Sequence, residues 1–293
     1  MEAIKIENLT KYYGKTRGIE QVSMTVEKGE FFGFIGPNGA GKSTTIRTLL
    51  GLIAPTNGTA QMLGFDIKKE KVELLSHIGY LPSEAVFYSG MKVKDVLKLS
   101  ANLHKKDCGK VAEELCQRLQ LDINKKVEEL SFGNRKKVAI VCALQHEPEL
   151  LLLDEPTSGL DPLMQKEFYE ILKERNKAGA TIFLSSHILS EIQRYCTKAA
   201  IIRNGRIIAC DSVDKLSQTN TKRVSVVGEI TLDELEGVRD VQHTDGAWNF
   251  LYGGDVDALL GVLAKSHIQD ISISEPDLDE IFMHYYEDGG VER

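Results

Sequence analysis

The sequence lacks a long apolar run, a pair of closely spaced cysteines and an excess of basic residues, and each absence excludes a class of protein. Its longest uncharged apolar stretches, such as Val138–Leu144, are far shorter than the roughly 20 residues that cross a membrane. The five cysteines include no Cys-x-x-Cys pair, which is typical of reduced structural thiols and argues against a disulfide frame or a metal site. Because 36 Lys and Arg stand against 43 Asp and Glu, a formal charge of -7, we expect no nucleic-acid partner.

The sequence also shows no targeting segment and no repetition. Residues Met1–Ile6 alternate like a strand and carry no apolar signal-peptide core, so we expect a soluble cytoplasmic protein. No internal repeat or low-complexity segment is present. A length of 293 residues is typical of about two domains.

The most informative segment is Gly36–Thr44, which matches the phosphate-binding pattern G-x-x-x-x-G-K-[ST]. It follows the apolar run Phe31–Ile35, which predicts a buried strand, and it leads into Thr44–Leu50, which predicts a helix. An ordinary glycine turn before a helix would need neither the lysine nor the flanking strand. The order of strand, glycine loop and helix therefore predicts a nucleotide site.

The residue types of this loop suit phosphate chemistry. Glycines allow positive φ and close approach of the backbone, so that successive N–H groups and the helix N-terminus face an anion. Lys42 supplies a point charge for the β- and γ-phosphates, and the Ser43 hydroxyl is suited to Mg²⁺. The predicted phosphate contacts are Gly36, Asn38, Gly39, Gly41, Lys42, Ser43 and Thr44.

Periodicity predicts an α/β fold for residues 1–215. Strands are expected at 3–9, 22–26, 59–64, 78–81, 150–153, 180–185, 198–202 and 206–210, with helices at 42–52, 162–177 and 188–195. Helical spacing over 93–121 lies in a mostly helical insert, about 90–146. We expect a parallel core sheet, because Leu150–Leu153 is continuously apolar, together with an antiparallel β layer.

The pattern changes after residue 216, which indicates a second domain at 216–293. Strands are expected at 222–227, 238–243, 247–252 and 270–274, with helices at 231–235 and 255–264. This β-α-β-β-α-β order predicts a small ferredoxin-like α+β domain. A final helix is expected after Ser274, which with Asp277 resembles a capping box.

The second strong motif is the strand Leu150–Asp154 followed by Glu155. A carboxylate at the end of a buried strand is placed to hold Mg²⁺, directly or through water, which we assign to Asp154. Glu155 is the natural general base for an attacking water. The competing interpretation is an acid that caps the turn before Pro156.

Together these segments resemble the nucleotide-binding subunits of ATP-binding cassette transporters over about residues 3–215. The matching segments, in chain order, are the phosphate loop, Leu130-Ser131-Phe132-Gly133-Asn134, Leu150–Thr157, Ser158-Gly159-Leu160-Asp161 and Ser186-His187. The second domain and the ending Glu275–Phe282 resemble the drug-, antibiotic- and lipid-exporter branch.

The resemblance implies a site shared by two chains that pack head to tail around two nucleotides. Ser131 and the Gly133 N–H would then contact the γ-phosphate held by the second chain, and Asp161 would touch that chain's phosphate loop. His187 would hold Glu155 and the attacking water in line, and Tyr13 would stack on adenine.

Each of these residues also has a plainer interpretation. His187 after a strand is compatible with a structural role, Asp161 before Pro162 is a good helix N-cap, and Tyr13 beside Tyr12 could be simple packing. The run Arg135–Lys137 favours a solvated face, although it could add positive potential near the second chain's phosphate.

The chain departs from the family pattern at three positions. Phe132 stands where the signature has a glycine, and Asn134 stands where it has a glutamine. Ser83 stands where a loop glutamine reaches the metal and water, and it is followed by Glu84. Serine is too short to replace this glutamine directly. We therefore expect Ser83 to contact the metal through a bridging water, or Glu84 to take the place of the glutamine. Otherwise we expect slower hydrolysis that depends more on the partner.

The function expected from the resemblance is ATP hydrolysis, with ATP and Mg²⁺, that drives transport. The chain would be the motor subunit on the inner face of the cell membrane, bound to a separate integral membrane permease and to a second cassette. The alternatives are a cassette ATPase of translation or DNA repair and a small-molecule P-loop kinase. The sequence has only one cassette and no sustained heptads, and a kinase would leave the signature unexplained.

Overall fold

The computed structural model describes residues 1–217, 222–232, 235–244 and 246–274. The chain divides into two compact units, Met1–Val213 and Asp214–Arg293, close to the domain boundary expected after residue 215. The expected final helix after Ser274 lies outside the described residues, as does part of the helix expected at 231–235.

The first unit alternates strands and helices along the chain. Its elements are β1 (Glu2–Tyr13), β2 (Thr16–Glu27), β3 (Phe31–Ile35), α1 (Lys42–Leu49), β4 (Asn57–Met62), β5 (Phe65–Asp66), α2 (Lys71–Ser76), β6 (Ile78–Leu81), α3 (Val93–Leu103), α4 (Gly109–Arg118), α5 (Phe132–Leu144), β7 (Leu150–Asp154), α6 (Pro162–Lys177), β8 (Thr181–Ser186), α7 (Leu189–Tyr195), β9 (Lys198–Arg203) and β10 (Arg206–Ser212). A short helix, α8 (Val213–Ser217), begins at the last residue of this unit.

Two sheets form the first unit. One is antiparallel, in the order β2-β1-β4-β5, and the other has the order β10-β9-β3-β8-β7-β6. In the second sheet β9, β3, β8, β7 and β6 run parallel, and β10 returns antiparallel beside β9. Strand β7 is buried at every residue, as its uninterrupted leucines predict for a strand covered on both faces.

The main core lies between the two sheets and helix α1. Phe32 and Phe34 of β3 pack on Phe183 of β8, with ring centroids 5.7 and 5.3 Å apart. Ile4 from the antiparallel layer and Ile46 from α1 complete the same cluster and are fully buried. Burial of large apolar side chains at this position fixes the strand that precedes the phosphate loop.

The second unit contains β11 (Lys222–Glu229), β12 (Val238–Thr244), β13 (Ala247–Tyr252), α9 (Val256–Lys265) and β14 (His267–Ser274). Its sheet has the order β12-β13-β11-β14, with antiparallel pairs throughout. Val224, Phe250 and Leu259 are buried in its core. Because part of the first expected helix is not described, the ferredoxin-like assignment stays a prediction.

The structure refines one prediction of local structure and adds one element. The helical pattern over 93–121 forms two helices, because α3 ends at Leu103 and Lys105 adopts a left-handed φ of 53° before α4 begins. Helix α2 was not predicted. It has only 6 residues and buries only Leu74, so its periodic signal is weak.

Candidate functional site

The candidate site lies where parallel strands end. The carboxyl ends of β3, β6, β7 and β8 meet at one edge of the core sheet, because neighbouring strands in that set run parallel. The segments that follow them are the phosphate loop, Pro82-Ser83, Glu155 and His187. Ligands of open α/β sheets bind at this edge.

Two glycines let the phosphate loop lie close to neighbouring backbone. Gly41 caps α1 with φ 113°, and a Cβ there would lie 2.8 Å from Ile19 Cγ2 and 2.9 Å from the Gly18 carbonyl oxygen. A Cβ on Gly36 would lie 2.3 Å from the Ile202 carbonyl oxygen. No other residue type fits these two positions without displacement of the backbone.

A cleft of about 400 Å³ opens beside this loop. Its walls are Tyr13, Arg17, Gly18, Pro37, Asn38, Gly39, Gly41, Lys42, Ser43, Thr44, Ser83 and Glu155. Nine of the predicted site residues therefore share one cavity. Arg17, Gly18 and Pro37 were not among the predicted contacts. The pairing of Tyr12 with Arg17 across the β1–β2 hairpin places Arg17 near Tyr13.

Lys42 and His187 both contact the Glu155 carboxylate. Lys42 Nζ lies 3.1 Å from Glu155 Oε1 and donates to the carbonyl oxygens of Gly36 at 2.6 Å and Pro37 at 3.2 Å. His187 Nδ1 lies 2.7 Å from Glu155 Oε2. His187 does not line the cleft, but its ring is half exposed and placed to orient the carboxylate.

The backbone of Glu155 has an unusual conformation. Its φ is 48°, in the left-handed region, and its N–H donates to the carbonyl oxygen and the hydroxyl of Ser185 at 3.2 and 3.3 Å. For a residue other than glycine this conformation costs roughly 1–3 kcal/mol. The contacts around Glu155 must therefore hold it against that strain.

Asp154 is fully buried at the end of β7. Ser185 donates its hydroxyl to Asp154 Oδ1 at 2.8 Å, whereas Asp154 Oδ2 is buried and has no hydrogen-bond partner among the described residues. A buried carboxylate oxygen without a donor is costly unless a cation or water satisfies it. This oxygen, with the Ser43 hydroxyl in the cleft, fits the oxygen ligands that Mg²⁺ prefers.

A magnesium ion here would depend on phosphate as well as protein. In the described part of the chain, no group of three or more His, Cys, Asp or Glu side chains is placed to hold a metal. Mg²⁺ at nucleotide sites typically keeps several waters and takes one or two protein oxygens plus phosphates. Ser83 lines the cleft, whereas Glu84 does not, so Ser83 is the nearer candidate for a water-bridged contact.

Lys136 is buried and contacts the backbone of Glu155. It is 1% exposed, and its Nζ donates to the carbonyl oxygens of Pro82 at 2.9 Å, Ser83 at 3.0 Å and Glu155 at 3.0 Å. Burial lowers the pKa of Lys136 to about 8, although Asp154 and Glu155 act to raise it.

The predicted solvated face at Arg135–Lys137 is therefore wrong for Lys136 and Lys137, which are both buried. The missed signal is helical periodicity, because Lys136 lies four residues before the buried Ile140 on α5. A charge run indicates a solvated face only where the helical period also turns it away from the core.

Tyr13 lies at the edge of the cleft. Its ring is 48% exposed, Lys11 Nζ lies 5.2 Å from its centroid, and a Cβ on Gly18 would lie 2.9 Å from the ring. Tyr13, and not Tyr12, therefore presents a flat aromatic surface to the cavity. Such a surface is suited to stacking on a planar base.

The signature segment and Asp161 lie outside the cleft, next to one another. A Cβ on Gly133 would lie 2.5 Å from the Gly159 carbonyl oxygen, and one on Gly159 would lie 2.3 Å from the Phe132 ring. Gly159 therefore makes room for the phenylalanine that replaces a signature glycine.

Ser131 and Asp161 each cap a helix. Ser131 accepts from the Asn134 N–H at 3.3 Å, and Asp161 accepts from the N–H groups of Leu163 and Met164 at 3.1 Å. The plain interpretation of Asp161 as an N-cap thus holds in the structure. Both side chains are exposed, which leaves them open to a second surface.

Comparison with known proteins identifies the chain. The model of the ABC transporter family matches residues 19–158. The bacitracin transport ATP-binding protein BcrA of Bacillus licheniformis is 40% identical over 226 residues, which are 75% of this chain and 72% of that protein. This chain belongs to the ABC transporter family.

A second relative is similar over almost the whole chain, and a solved structure is similar over most of it. The linearmycin resistance ATP-binding protein LnrL of Bacillus subtilis is 29% identical over 308 residues, with 96% of this chain and 97% of that protein covered. A solved ATP-binding subunit of an ABC transporter superposes with a TM-score of 0.70 at 32% identity, over 73% of this chain and 91% of that one. These findings confirm the predicted cassette fold and place the chain among ATP-binding subunits of the drug-exporter branch.

As a member of this family the chain is an ATP-binding cassette and an ATPase. The cassette MJ0796, solved as a dimer with ADP and phosphate, shares its fold with a TM-score of 0.65 at 23% identity. No helix among the described residues is both long and apolar enough to cross a membrane.

Proposed function

We propose that this chain is the motor subunit of an exporter, in which two cassettes hydrolyse ATP with Mg²⁺ and drive a separately encoded membrane permease. The observation that carries this proposal is the placement of Lys42 and His187 on the two oxygens of Glu155, at 3.1 and 2.7 Å. A general base needs an orienting partner and a nearby cation that holds the reacting phosphate. The names of the bacitracin and linearmycin relatives support export.

In this proposal the cleft residues have distinct tasks. Lys42 shifts from the loop carbonyls to the β- and γ-phosphates, and Tyr13 stacks on the adenine ring. The backbone of Gly36, Asn38, Gly39, Gly41 and Thr44 cradles the phosphates. The metal supplies charge neutralisation, and Ser43 and Asp154 would hold it, with Ser83 acting through water.

Hydrolysis itself depends on Glu155 and His187. Glu155 takes the proton of the attacking water at a carboxylate oxygen. His187 donates from Nδ1 to the other oxygen and keeps the carboxylate aimed at the water. The left-handed backbone of Glu155, held by Ser185, fixes the start of that side chain.

The second cassette completes the site. Ser131 and Gly133 are exposed or half-buried at the start of α5 and outside the cleft, so they are available to the γ-phosphate held by another chain. Asp161 lies beside them and would touch that chain's phosphate loop. We place the pair on the cytoplasmic side of the membrane, against the permease. Closure of the pair with ATP, and reopening after hydrolysis, would move the permease.

A pull-down tests the proposal. Tagged Glu155→Gln chain is incubated with Mg-ATP in detergent-solubilised native membranes and recovered for mass spectrometry. The matched control carries Lys42→Ala as well, so that it cannot hold ATP. Recovery of one polytopic membrane protein in stoichiometric amount with the first variant only is the expected result. Recovery of ribosomal or DNA-associated proteins alone would instead favour a cassette ATPase that does not transport.

A further inference from the structure

Lys136 contacts two segments of the candidate site from behind, and its environment is unusual for a lysine. Its side chain is 1% exposed, and its ammonium group directs all three hydrogens to backbone carbonyl oxygens. Burial of an ammonium group is costly, and lysine is rarely fully buried without a specific role. The neighbouring positions on the same face of α5, such as Ile140, are apolar, so an apolar residue would fit the packing.

The three carbonyl groups belong to two segments that lie beyond the last paired residues of strands β6 and β7. Strands β6 and β7 pair in parallel up to Leu81 and Leu153, the last pair of their ladder. Beyond it the carbonyls of Pro82 and Ser83 follow β6, and the Glu155 carbonyl follows β7. The Lys136 ammonium group thus replaces backbone pairing at the point where the two strands separate.

Both joined segments enter the cleft. Ser83 and Glu155 line it, whereas Lys136 does not. Glu155 also needs support, because its φ of 48° is strained. Ser185 accepts a hydrogen bond from the Glu155 N–H, and Lys136 donates one to the Glu155 carbonyl oxygen.

We propose that Lys136 is a positioning residue that clamps the backbone of Glu155 to that of Ser83 and thereby sets the carboxylate for hydrolysis. This inference rests on the proposed role of Glu155 as general base. Because Lys136 does not line the cleft, it acts through Glu155. A displacement of about 1 Å at a general base can lower turnover by about 100-fold.

The test compares kcat and KM for Mg-ATP in the full chain. Lys136→Arg keeps a positive charge, but its planar fork cannot reach three carbonyls arranged around an ammonium group. We expect kcat per nucleotide-binding site to fall by about 10- to 100-fold with KM changed less than about threefold. Lys136→Met is the stronger variant and is used where it folds. Lys137→Met is the matched control, since Lys137 is also buried on α5 and makes no hydrogen bond or ion pair within the described residues.

A double-mutant comparison separates positioning from general support of the fold. In the Glu155→Gln background, the single-turnover rate with radiolabelled ATP should change less than about twofold on adding Lys136→Arg, because the carboxylate has already been lost. An equal loss in both backgrounds, or an unchanged kcat in Lys136→Arg, would overturn the inference. Failure of the wild-type chain to bind and hydrolyse Mg-ATP would overturn the proposed function instead.

Discussion

The phosphate cleft and the signature segment are built in different ways. The cleft collects side chains from the ends of several strands, and Lys42 and Glu155 within it are buried or half-buried. The signature residues Ser131 and Phe132, together with Asp161, present exposed side chains, and none of the three lines the cleft. Under the proposed function, the cleft would bind a nucleotide within one chain, whereas the signature segment would contact a nucleotide only when a second chain is present.

The sharpest test of this difference is the loss of Glu155. We expect Glu155→Gln to lower kcat by about 10²–10⁴, because a general base is removed while the shape of the side chain is kept. ATP affinity of the single chain should stay the same, since the phosphate loop is intact. ATPase assays alongside equilibrium binding measure both quantities. A variant that hydrolyses at the wild-type rate would refute the role of Glu155.

A matched pair of variants separates the two surfaces directly. Lys42→Ala removes the buried cation of the cleft, and we expect ATP affinity to fall by about 10²–10³, since each hydrogen bond to a charged group contributes roughly 1.5–3 kcal/mol. Ser131→Ala should leave single-chain affinity unchanged and lower hydrolysis only when chains pair. Titration with a fluorescent ATP analogue, at concentrations where the chain is monomeric, gives the comparison. Weak binding in both variants would show that the signature segment serves the cleft of its own chain.

Acid should act at the end of helix α5 that is farther from the signature segment. His146 lies just after the C-terminus of α5, and it stacks on His104 with ring centroids 3.6 Å apart. Burial is the main cause that lowers the pKa of His146 from 6.5 to about 4, with His104 and Lys106 lowering it further. Since the folded pKa lies below the unfolded one, the unfolded chain binds more protons between these values.

Stability should therefore fall as the pH drops from about 6.5 to about 4, by up to about 3 kcal/mol from this residue. Urea unfolding at a series of pH values measures the slope, and His146→Gln should flatten it. If the free energy of unfolding changes with pH equally in the wild type and in His146→Gln over that range, His146 is not the source of the change.

Asp161 allows the smallest and most specific test. Its carboxylate caps α6, so Asp161→Ala should lower the free energy of unfolding by about 1 kcal/mol, whereas Asp161→Asn retains the acceptor and most of the stability. Thermal unfolding of the two variants measures the cap. Reduced hydrolysis in the stable Asp161→Asn variant would show a second role for the charge, toward another chain.

Local signals predicted a large part of the fold and of the cleft. The phosphate loop, the buried strand β7 and the helix α6 have strong local patterns, and α6 begins and ends where they indicated. Its N-cap Asp161 and Pro162 in the first turn mark that boundary clearly. Because the core strands run parallel, their carboxyl ends lie at one edge of the sheet, and this placement follows from the predicted parallel sheet alone.

Other features depended on tertiary contacts that the sequence does not display. The break at Lys105 occurs inside a helical pattern, where a single left-handed residue outweighs periodicity. The burial of Lys136 depends on carbonyls that come from other parts of the chain. Arg17 enters the cleft only because of the hairpin register. The roles of Ser131, Gly133 and Asp161 toward a second chain stay predictions.

The unpartnered oxygen of Asp154 also affects the ligand-free protein. One oxygen of this buried carboxylate lacks a donor, which lowers the free energy of unfolding, and replacing the carboxylate with a neutral group of the same shape relieves part of that cost. Asp154→Asn keeps an acceptor for Ser185, so the ligand-free variant should melt at a higher temperature than the wild type, yet gain less from added Mg-ATP. Under the proposed function, the chain would therefore retain this acid for turnover at a cost in the stability of its ligand-free state.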